Sequence, residues 1–461
     1  MAGLLTAAAA SVFGVSSAQA QLDLCLDADP PPVSAEADPL RFGITPQLAG
    51  TIGGAQGEVA PEAPERAIDA LHRLQPPKRR LVIRLNRLFE SDGEAGIENF
   101  VQLAHRYGRE GFAVESQIRY HPTPEQEGDM AAWEDFVRRA TAALAAEPAV
   151  VALTITNEVN LPISPNTSDG AYEGALDAIV HGIVAAQDAL DRVGRDDIAL
   201  GFSYAYRYLP DQDVAFWRGI AERATPEFYA ALDYVGVQLY PGLFWPPVFA
   251  PGETAGSATL DALTLVRQCY MPLAGLGGGV PIWITENGYA TNLNRSLERQ
   301  VADLTSTVED TYAYSGTLNV TDYRYFNLRD NDSDGGDLFA AVGLLFDDYS
   351  EKPVLAAYRD LIERFGEPDA PGSGLDLRLR LRCRRGRLRA IVSGHEVARV
   401  EQAAFLVGGQ RVARDRRLPF ARTLSRSRFG DSNRWRVTAK LVVDDGAHVK
   451  LHRSRGACPM R

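Results

Sequence analysis

Short apolar runs of strand type recur eight times along the chain, each followed by a stretch that can form a helix. The runs are Phe42–Pro46, Leu81–Leu88, Phe112–Tyr120, Val150–Asn160, Ile198–Tyr206, Tyr234–Tyr240, Pro281–Thr291 and Asp322–Leu328. Consecutive runs start 31 to 48 residues apart, which leaves room for one helix and two loops, as a parallel crossover requires. Eight β-then-α units predict an α/β fold, a closed (β/α)8 barrel. No G-x-G-x-x-G sequence follows the first run, so dinucleotide binding has no support.

The segments between the runs have the periodicity of amphipathic helices. In Met130–Ala146, for example, Trp133, Phe136 and Val137 fall on one helical face. Further helices are predicted at Gly170–Val193, Ser296–Tyr312 and Lys352–Phe365.

The composition changes after the last predicted helix, so that residues 41–366 would form the barrel. Residues 367–374 are rich in Pro, Gly and Ser and predict a linker. Beyond it, leucine alternates with arginine, and residues 375–461 predict a small antiparallel, sandwich-like β-domain with one apolar and one arginine-rich face. Its predicted strands are Leu375–Arg382, Arg387–Val392, Ala403–Val407 and Trp435–Val443.

The two predicted domains carry opposite net charges. The whole chain has a net charge of −12, which argues against nucleic acid as the main partner. Residues 372–461 contain 22 basic residues, 20 of them arginine, and 7 acidic ones, so this part carries +15 and the rest −27. The arginine-rich face would either dock on the acidic barrel or bind an anionic polymer, such as an acidic polysaccharide or an envelope phosphate polymer.

Residues 1–20 are small and apolar and end in Ala18-Gln19-Ala20, an A-x-A-type cleavage site. They predict a cleaved signal peptide, with a lipid anchor or a chance Ala-rich leader as alternatives. Residues 21–40 would be an extended lead-in. No later segment reaches about 18 consecutive apolar residues, so no membrane span is expected. The protein would be secreted or held in the cell envelope.

The four cysteines permit disulfides in an exported protein. Three pairings are possible. Cys383 and Cys458 bracket the basic segment, so a Cys383–Cys458 bridge is favoured, with Cys25–Cys269 as the remaining pair. No C-x-x-C sequence occurs and the seven histidines show no ligand spacing, so neither a metal nor a cofactor is expected.

A glutamate stands at the end of each of two predicted strands. Glu158 follows the fourth run and Glu286 the seventh, and catalytic groups of (β/α)8 barrels lie at such C-terminal strand ends. Hydrolysis of a glycosidic bond with retention needs two facing carboxyl groups about 5–5.5 Å apart, one attacking as a carboxylate and one donating a proton. Crowding of two carboxylates raises the pKa of one of them, which supplies the acid.

Four motifs in chain order resemble clan A of the retaining glycoside hydrolases, and its cellulase-type members in particular. They are Asn157-Glu158, Tyr240 in VQLYPG, Glu286 in ITENG, and the post-barrel segment Gly343–Pro353. The resemblance covers about residues 40–365 and leaves out the basic domain. It implies that Glu286 is the nucleophile and Glu158 the acid/base.

The same resemblance implies roles for neighbouring residues. Asn157 would hydrogen-bond the sugar 2-hydroxyl, and Tyr240 would hydrogen-bond the nucleophile. Arg84 would place a fixed positive charge beside the nucleophile, with Arg87, three residues on, as the alternative in register. His121 would contact the substrate near the acid/base.

The chain differs from the usual clan sequence in two places. Val159 follows Asn157-Glu158 where proline is common, and the eighth run has no tryptophan to line the sugar subsite, so Phe326 or Tyr325 would replace it. In the aromatic loop after the sixth run, Trp245 is a candidate platform for stacking on a sugar, with loop packing as the alternative.

These observations predict an exported retaining β-glycoside hydrolase that acts on a β-linked oligo- or polysaccharide. Two other functions fit the same sequence. A transglycosylase would use the same site with a sugar as the acceptor. A non-catalytic carbohydrate- or envelope-binding protein would use the barrel as a scaffold and the arginine-rich face as its binding surface.

Overall fold

A computed structural model describes nearly all of the barrel and most of the C-terminal region. The described residues are 29–49, 59, 61–165, 167–195, 197–368, 377–384, 387–407, 410–429, 434–444, 448–456 and 458. The predicted signal peptide, residues 1–20, and most of the predicted linker, residues 369–374, lie outside the described residues, so both stay predictions.

Eight parallel strands close into a barrel in chain order, and the predicted fold class is confirmed. The strands are β1 Arg41–Thr45, β2 Val82–Phe89, β3 Ala113–Arg119, β4 Val150–Ile155, β5 Ala199–Ala205, β6 Tyr234–Gln238, β7 Ile282–Asn287 and β8 Val320–Phe326. Each overlaps one of the apolar runs of the sequence, because alternating or continuous apolar residues are what a buried parallel strand requires.

Two strands end earlier than the sequence predicted. β4 ends at Ile155 instead of Asn160, and β7 ends at Asn287 instead of Thr291. The chain leaves β4 because Thr156 has a φ of 66°, a left-handed conformation that a strand does not allow.

Helices cover the outside of the barrel. They are Pro64–Leu74, Gly93–Arg109, Met130–Ala145, Ala175–Val193, Pro210–Arg223, Pro226–Ala231, Ala255–Leu265, Leu297–Leu318 and Pro353–Phe365. The predicted helix Ser296–Tyr312 continues to Leu318, where Asn319 adopts a left-handed conformation and ends it. The predicted helix Gly170–Val193 begins only at Ala175. Within the described part of the chain, no helix combines the length and apolar character needed to cross a bilayer.

The two faces of the barrel strands have different chemistry, because side chains alternate along a strand. Ile83 and Val114 belong to the apolar core that packs against the helices. Their neighbours Arg84 and Glu115 lie on the other face and are fully buried. The interior of the barrel therefore holds charged groups, which must be paired when buried. Beside them lies a small apolar cluster that includes Val82, Tyr234 and Trp283.

The C-terminal domain consists of two antiparallel sheets with strand orders β13-β10-β9 and β12-β11-β14-β15. The strands are β9 Arg378–Arg384, β10 Arg387–Ser393, β11 Val400–Val407, β12 Gln410–Asp415, β13 Ala421–Leu424, β14 Arg434–Val443 and β15 His448–Gly456. β12, β13 and β15 were not predicted, because they are short or lose their apolar alternation among arginines. Leu388, Phe405 and Trp435 lie in a core of their own, separate from that of the barrel.

A disulfide closes the C-terminal domain. Cys383 on β9 is bonded to Cys458, which follows β15, so the first predicted bridge is confirmed. Cys25 lies outside the described residues, and the Cys25–Cys269 bridge stays a prediction.

The C-terminal domain docks on the face of the barrel that carries the N-terminal ends of the strands. Arg380 and Arg382 of β9 approach Asp233, which precedes β6, at 3.6 and 3.8 Å. Arg436 of β14 binds Asp38, which precedes β1, at 2.8 Å. Part of the arginine-rich face is thus used for docking on the acidic barrel, one of the two uses that its charge predicted.

Candidate active site

Glu286 lies on β7 with three hydrogen-bond donors around its carboxylate. Oε1 accepts from Arg84 Nη1 at 2.8 Å and from Gln238 Nε2 at 3.1 Å, and Oε2 accepts from the Tyr240 hydroxyl at 2.8 Å. The residue is 8% exposed. Burial, together with the charge of Glu286, raises the pKa of Tyr240 well above its ordinary value, so the phenol keeps the proton that it donates. Donors on both oxygens complement a negative charge and fix the orientation of the carboxylate.

Glu158 lies in the turn after β4, and side chains hold the backbone of this turn. The Asn157 amide donates to Asp169 Oδ2 at 2.8 Å, and the Glu158 amide donates to Ser203 Oγ at 3.3 Å. Thr156 and Glu158 both have left-handed backbone conformations, with φ of 66° and 47°. Such conformations cost free energy in residues other than glycine and persist where surrounding contacts impose them. The turn thus fixes the direction in which Glu158 points.

The surroundings of the Glu158 carboxyl differ sharply from those of Glu286. Glu158 is 6% exposed, and its Oε1 lies 3.4 Å from Arg207 Nη2. Burial raises the pKa of Glu158 to about 7; Arg207 opposes this rise and the Glu286 charge adds to it. Near neutral pH, a substantial fraction of Glu158 therefore holds a proton. The structure brings the two predicted carboxyl groups into one buried site and gives them different environments.

An amide network links Asn157 to the nucleophile candidate. Asn157 Oδ1 accepts from Gln238 Nε2 at 2.7 Å and from Gln117 Nε2 at 3.0 Å. Asn157 Nδ2 donates to the Thr167 carbonyl at 2.8 Å. Since Gln238 also donates to Glu286, one side chain fixes Asn157 relative to Glu286.

A chain of buried ion pairs, here called the ion column, continues from Glu286 through the barrel interior. It runs through Glu286, Arg84, Glu115, Arg324, Asp322 and Arg41, with successive N–O distances of 2.8, 3.3, 3.0, 2.9 and 2.8 Å. Positive and negative groups alternate, so each charge meets an opposite one, as buried charges require. Gly43 makes room for the column, because a Cβ there would lie 2.5 Å from Arg324 Cδ.

Of the two candidate arginines on β2, Arg84 is the one that reaches the carboxylate. Arg87 has a left-handed φ of 69°, and its guanidinium donates to the Leu48 carbonyl. Arg87 is three residues beyond Arg84, so alternation alone would place the two side chains on opposite faces of β2, and Arg87 lies where the β2–β3 register shifts between Leu85 and Leu88.

His121 lies in an aromatic cluster at the end of β3. Its ring packs against Phe89 and Tyr172 at centroid distances of 4.5 and 5.4 Å, and Nδ1 lies 3.1 Å from Ser91 Oγ. Burial, aided by the Arg119 charge, lowers the pKa of His121. The contacts found in the described residues place His121 against this cluster and not against either glutamate.

The two aromatic candidates occupy different positions. Phe326 is 5% exposed, packs edge-on against Phe339 at 5.8 Å and shares a small apolar cluster with Tyr240. Trp245 is 38% exposed and stacks on Tyr208 at 5.3 Å with an interplanar angle of 17°. Phe326 thus belongs to the wall beside the nucleophile, whereas Trp245 offers a flat, partly exposed surface.

Three residues of the site were missed in the sequence. Gln238 is the last residue of β6, and Glu115 lies in β3 together with Ser116 and Gln117; polar residues within or at the end of a buried strand mark positions that can face the barrel interior. Arg207 directly follows the fifth apolar run, so the rule that strand ends carry chemistry could have found it.

The carboxylates and histidines of the chain do not form a metal site where the structure describes them. Among the described residues, no three His, Cys, Asp or Glu side chains converge in a way that could hold a metal ion. In the Asp-rich loop after β8, Asp330 forms a buried ion pair with Lys352 at 2.7 Å, which gives this loop a structural role.

Known proteins share the fold of this chain at low sequence identity. Neither a protein-family model nor a curated protein matches it. GH5_18 from Streptomyces cattleya, solved in complex with GlcNAc, is 15% identical, with a TM-score of 0.50 over 72% of this chain and 81% of its own. Family 1 β-glucosidase from Thermotoga maritima, solved in complex with isofagomine lactam, is 13% identical, with a TM-score of 0.50 over 72% of this chain and 100% of its own. The barrel therefore has a fold found in glycoside hydrolases.

Proposed function

We propose that this chain is a retaining β-glycoside hydrolase, with Glu286 as the nucleophile and Glu158 as the acid/base. The observation that carries the proposal is the contrast between two carboxyl groups in one buried site. Glu286 meets three donors, whereas burial raises the pKa of Glu158 to about 7. One group is suited to attack and the other to give and take a proton.

The reaction would proceed in two steps. A Glu286 oxygen attacks the anomeric carbon, the glycosidic bond breaks, and the leaving oxygen takes the proton of Glu158. A water molecule then gives a proton to Glu158 and attacks the same carbon, which releases Glu286 and the sugar with net retention. Asn157, held by Gln238, would bind the 2-hydroxyl of a β-linked oligo- or polysaccharide.

Substitution of the two glutamates tests the assignment. We expect Glu286→Gln to lower kcat/KM on an activated aryl β-glycoside by more than about 1,000-fold, because the covalent step is lost. Glu158→Ala should still carry out the first step when the leaving group is good and needs no proton, and should lose that step when the leaving group is poor. Azide should restore its turnover, because azide can replace water as the attacking group without giving up a proton. For the unmodified protein, proton NMR of the sugar that is released first should show the same anomeric configuration as the substrate.

Glu98→Gln, on the exposed side of the helix Gly93–Arg109, is the matched control and should keep full activity. Full activity in Glu286→Gln, or an inverted product, would contradict the proposal. Activity only with sugar acceptors would instead indicate a transglycosylase.

We also propose that the protein is exported, which the disulfide Cys383–Cys458 favours because disulfides persist in oxidising compartments. Expression with and without residues 1–20, followed by cell fractionation and N-terminal sequencing, tests this proposal. A cytoplasmic protein with an intact N-terminus would contradict it.

As a second candidate function, we propose that the C-terminal domain binds an acidic polysaccharide. The supporting observation is a set of exposed arginines on and around β12 and β13, here called the arginine surface. Its members are Arg411, Arg414, Arg416, Arg417, Arg422, Arg426 and Arg428. They are distinct from Arg380, Arg382 and Arg436, which dock on the barrel.

Clustered arginines bind polyanions in a salt-dependent manner. The triple variant Arg416→Ser/Arg417→Ser/Arg426→Ser should weaken retention on immobilised polygalacturonate at least about tenfold, whereas Arg192→Ser, on an exposed barrel helix, should not. Equal retention of both variants, or none by the unmodified protein at low salt, would contradict this second function.

A further inference from the structure

Arg207 is the residue of the site whose role is least explained by the two-step scheme. It lies two residues beyond β5, and its Nη1 donates to the Tyr206 carbonyl at 2.9 Å. The guanidinium carbon lies 4.3 Å from the centre of the Phe244 ring and 5.7 Å from that of Tyr240. The guanidinium is thus fixed by a carbonyl and an aromatic face, with Nη2 directed at Glu158.

Other charges near Glu158 are committed to partners of their own. The charged groups that act on it are Arg207 after β5, Glu286 on β7, Arg119 on β3 and Arg84 on β2. The charge of Glu158 in turn contributes to the raised pKa of Tyr240 after β6. Arg119 is bound by Asp169 at 2.7 Å, Arg84 lies between Glu115 and Glu286, and the Tyr240 hydroxyl donates to Glu286. Arg207 is therefore the cation in contact with Glu158 within the described site.

Before the first step, an adjacent cation disfavours the protonated form of Glu158 that the reaction needs, because the cation favours loss of the proton. The second step has the opposite requirement, since Glu158 must then be a carboxylate that takes a proton from water. Once Glu286 is an ester it is neutral, and its repulsion of a negative Glu158 disappears. Arg207 keeps its charge through both steps.

We propose that Arg207 is a positioning residue that enables Glu158 to change from acid to base between the two half-reactions. The inference rests on the proposed function. In the first half-reaction the Glu158 proton leaves with the departing oxygen, and the new carboxylate is stabilised by the Arg207 guanidinium. In the second, a water proton returns to Glu158 while the water oxygen replaces Glu286 at the anomeric carbon, which restores both starting groups.

Neutral replacements of Arg207 test the proposal through pH profiles. In Arg207→Met, which keeps a long apolar chain on Phe244, the pKa of Glu158 should rise because an opposing charge is lost. The basic limb of kcat/KM should move up by about one pH unit. With an activated aryl glycoside, for which the second step limits kcat, the acidic limb should also move up, and kcat at pH values well below that limb should fall about tenfold. Arg207→Lys, which keeps the charge, should leave both limbs close to their original positions.

A direct titration makes the test independent of turnover. Glu286→Gln imitates the neutral ester, so carbon-13 NMR of Glu158 in this background should show a lower pKa than in the unmodified protein. Adding Arg207→Met or Arg207→Gln should raise that pKa again, and the second neutral variant guards against misfolding of the first. If neither neutral replacement moves the limbs of the pH profiles or the pKa of Glu158, the proposed role of Arg207 is wrong. Full turnover in Glu286→Gln would instead overturn the proposed function itself.

Discussion

Glu90, at the end of β2, shows how much a single buried carboxyl can matter. The residue is 2% exposed, and neither of its carboxyl oxygens has a hydrogen-bond partner among the described residues. Burial, with smaller contributions from Asp129 and Asp169, raises the pKa of Glu90 to about 7. The folded protein therefore holds a proton on Glu90 at pH values where the unfolded chain has lost it.

This difference predicts a loss of stability with rising pH. The folded-state pKa lies above the ordinary value of 4.5, so the contribution of Glu90 is complete below about pH 4.5 and is lost as the pH rises through about 7. Since one pKa unit corresponds to about 1.4 kcal/mol, the free energy of unfolding should fall by about 2 kcal/mol between pH 5 and pH 8 on account of Glu90. Urea unfolding of Glu90→Gln at both pH values should show a smaller fall. Identical pH dependence in both proteins would contradict the prediction.

At the same scale, the sequence identified those site residues that directly follow a strand or belong to a recognisable motif. Glu158, Glu286 and Tyr240 could be named because apolar runs end beside them. Arg207 directly follows an apolar run as well, but no motif singles it out, and its importance comes from a contact with Glu158 at the end of the neighbouring strand. The aromatic cluster around His121 was equally invisible, since it joins residues from separate loops.

At the scale of the elements, the barrel strands β1, β2, β3, β7 and β8 carry the side chains of the buried ion column. Breaking a buried pair by removing one partner typically costs about 3–5 kcal/mol. Glu115→Gln should lower the free energy of unfolding by roughly that amount, because Arg84 and Arg324 then share one carboxylate fewer. The measurement is urea unfolding at pH 7.

The double variant Glu115→Gln/Arg324→Met is the charge-balanced control for this prediction. It should recover part of the lost stability, because it removes a cation together with the anion. A single variant within 1 kcal/mol of the unmodified protein, or a double variant less stable than the single, would show that the column is not electrostatically coupled.

Strand existence was readable from the sequence, and strand ends were not. β4 was predicted too long because nothing in the sequence marks the left-handed backbone of Thr156, and β7 was extended through Asn287-Gly288 although this dipeptide favours a turn. At Gly288 a Cβ would lie 2.2 Å from the Phe326 carbonyl oxygen, a close approach that only the closed barrel creates. The close approach of the β8 backbone thus coincides with the end of β7.

For the whole molecule, the two separate hydrophobic cores indicate two cooperative units. The Cys383–Cys458 bridge closes a loop of 75 residues within the second unit, and loss of such a bridge costs about 2–5 kcal/mol. Calorimetry of Cys383→Ser/Cys458→Ser should show a lower transition for the C-terminal domain and an unchanged one for the barrel. A parallel fall of both transitions would contradict the independence of the two units.

The charge division of the chain predicted that the two domains could dock, but not where. The docking face depends on Asp38 and Asp233, two of many barrel carboxylates, which precede β1 and β6 and lie at the same end of the barrel only after the strands have closed. Composition gives the sign of the attraction, and the fold gives its position.

The docking face also determines where the C-terminal domain lies relative to the candidate active site. The candidate site opens at the C-terminal ends of the strands, whereas Arg380, Arg382 and Arg436 attach the second domain at their N-terminal ends. If the arginine surface anchored the protein to a matrix, the anchored domain and the catalytic opening would lie at opposite ends of the barrel. A glycan strand held at the anchor would then have to pass along the barrel to reach the opening, which favours cleavage of other strands that arrive from the surrounding medium.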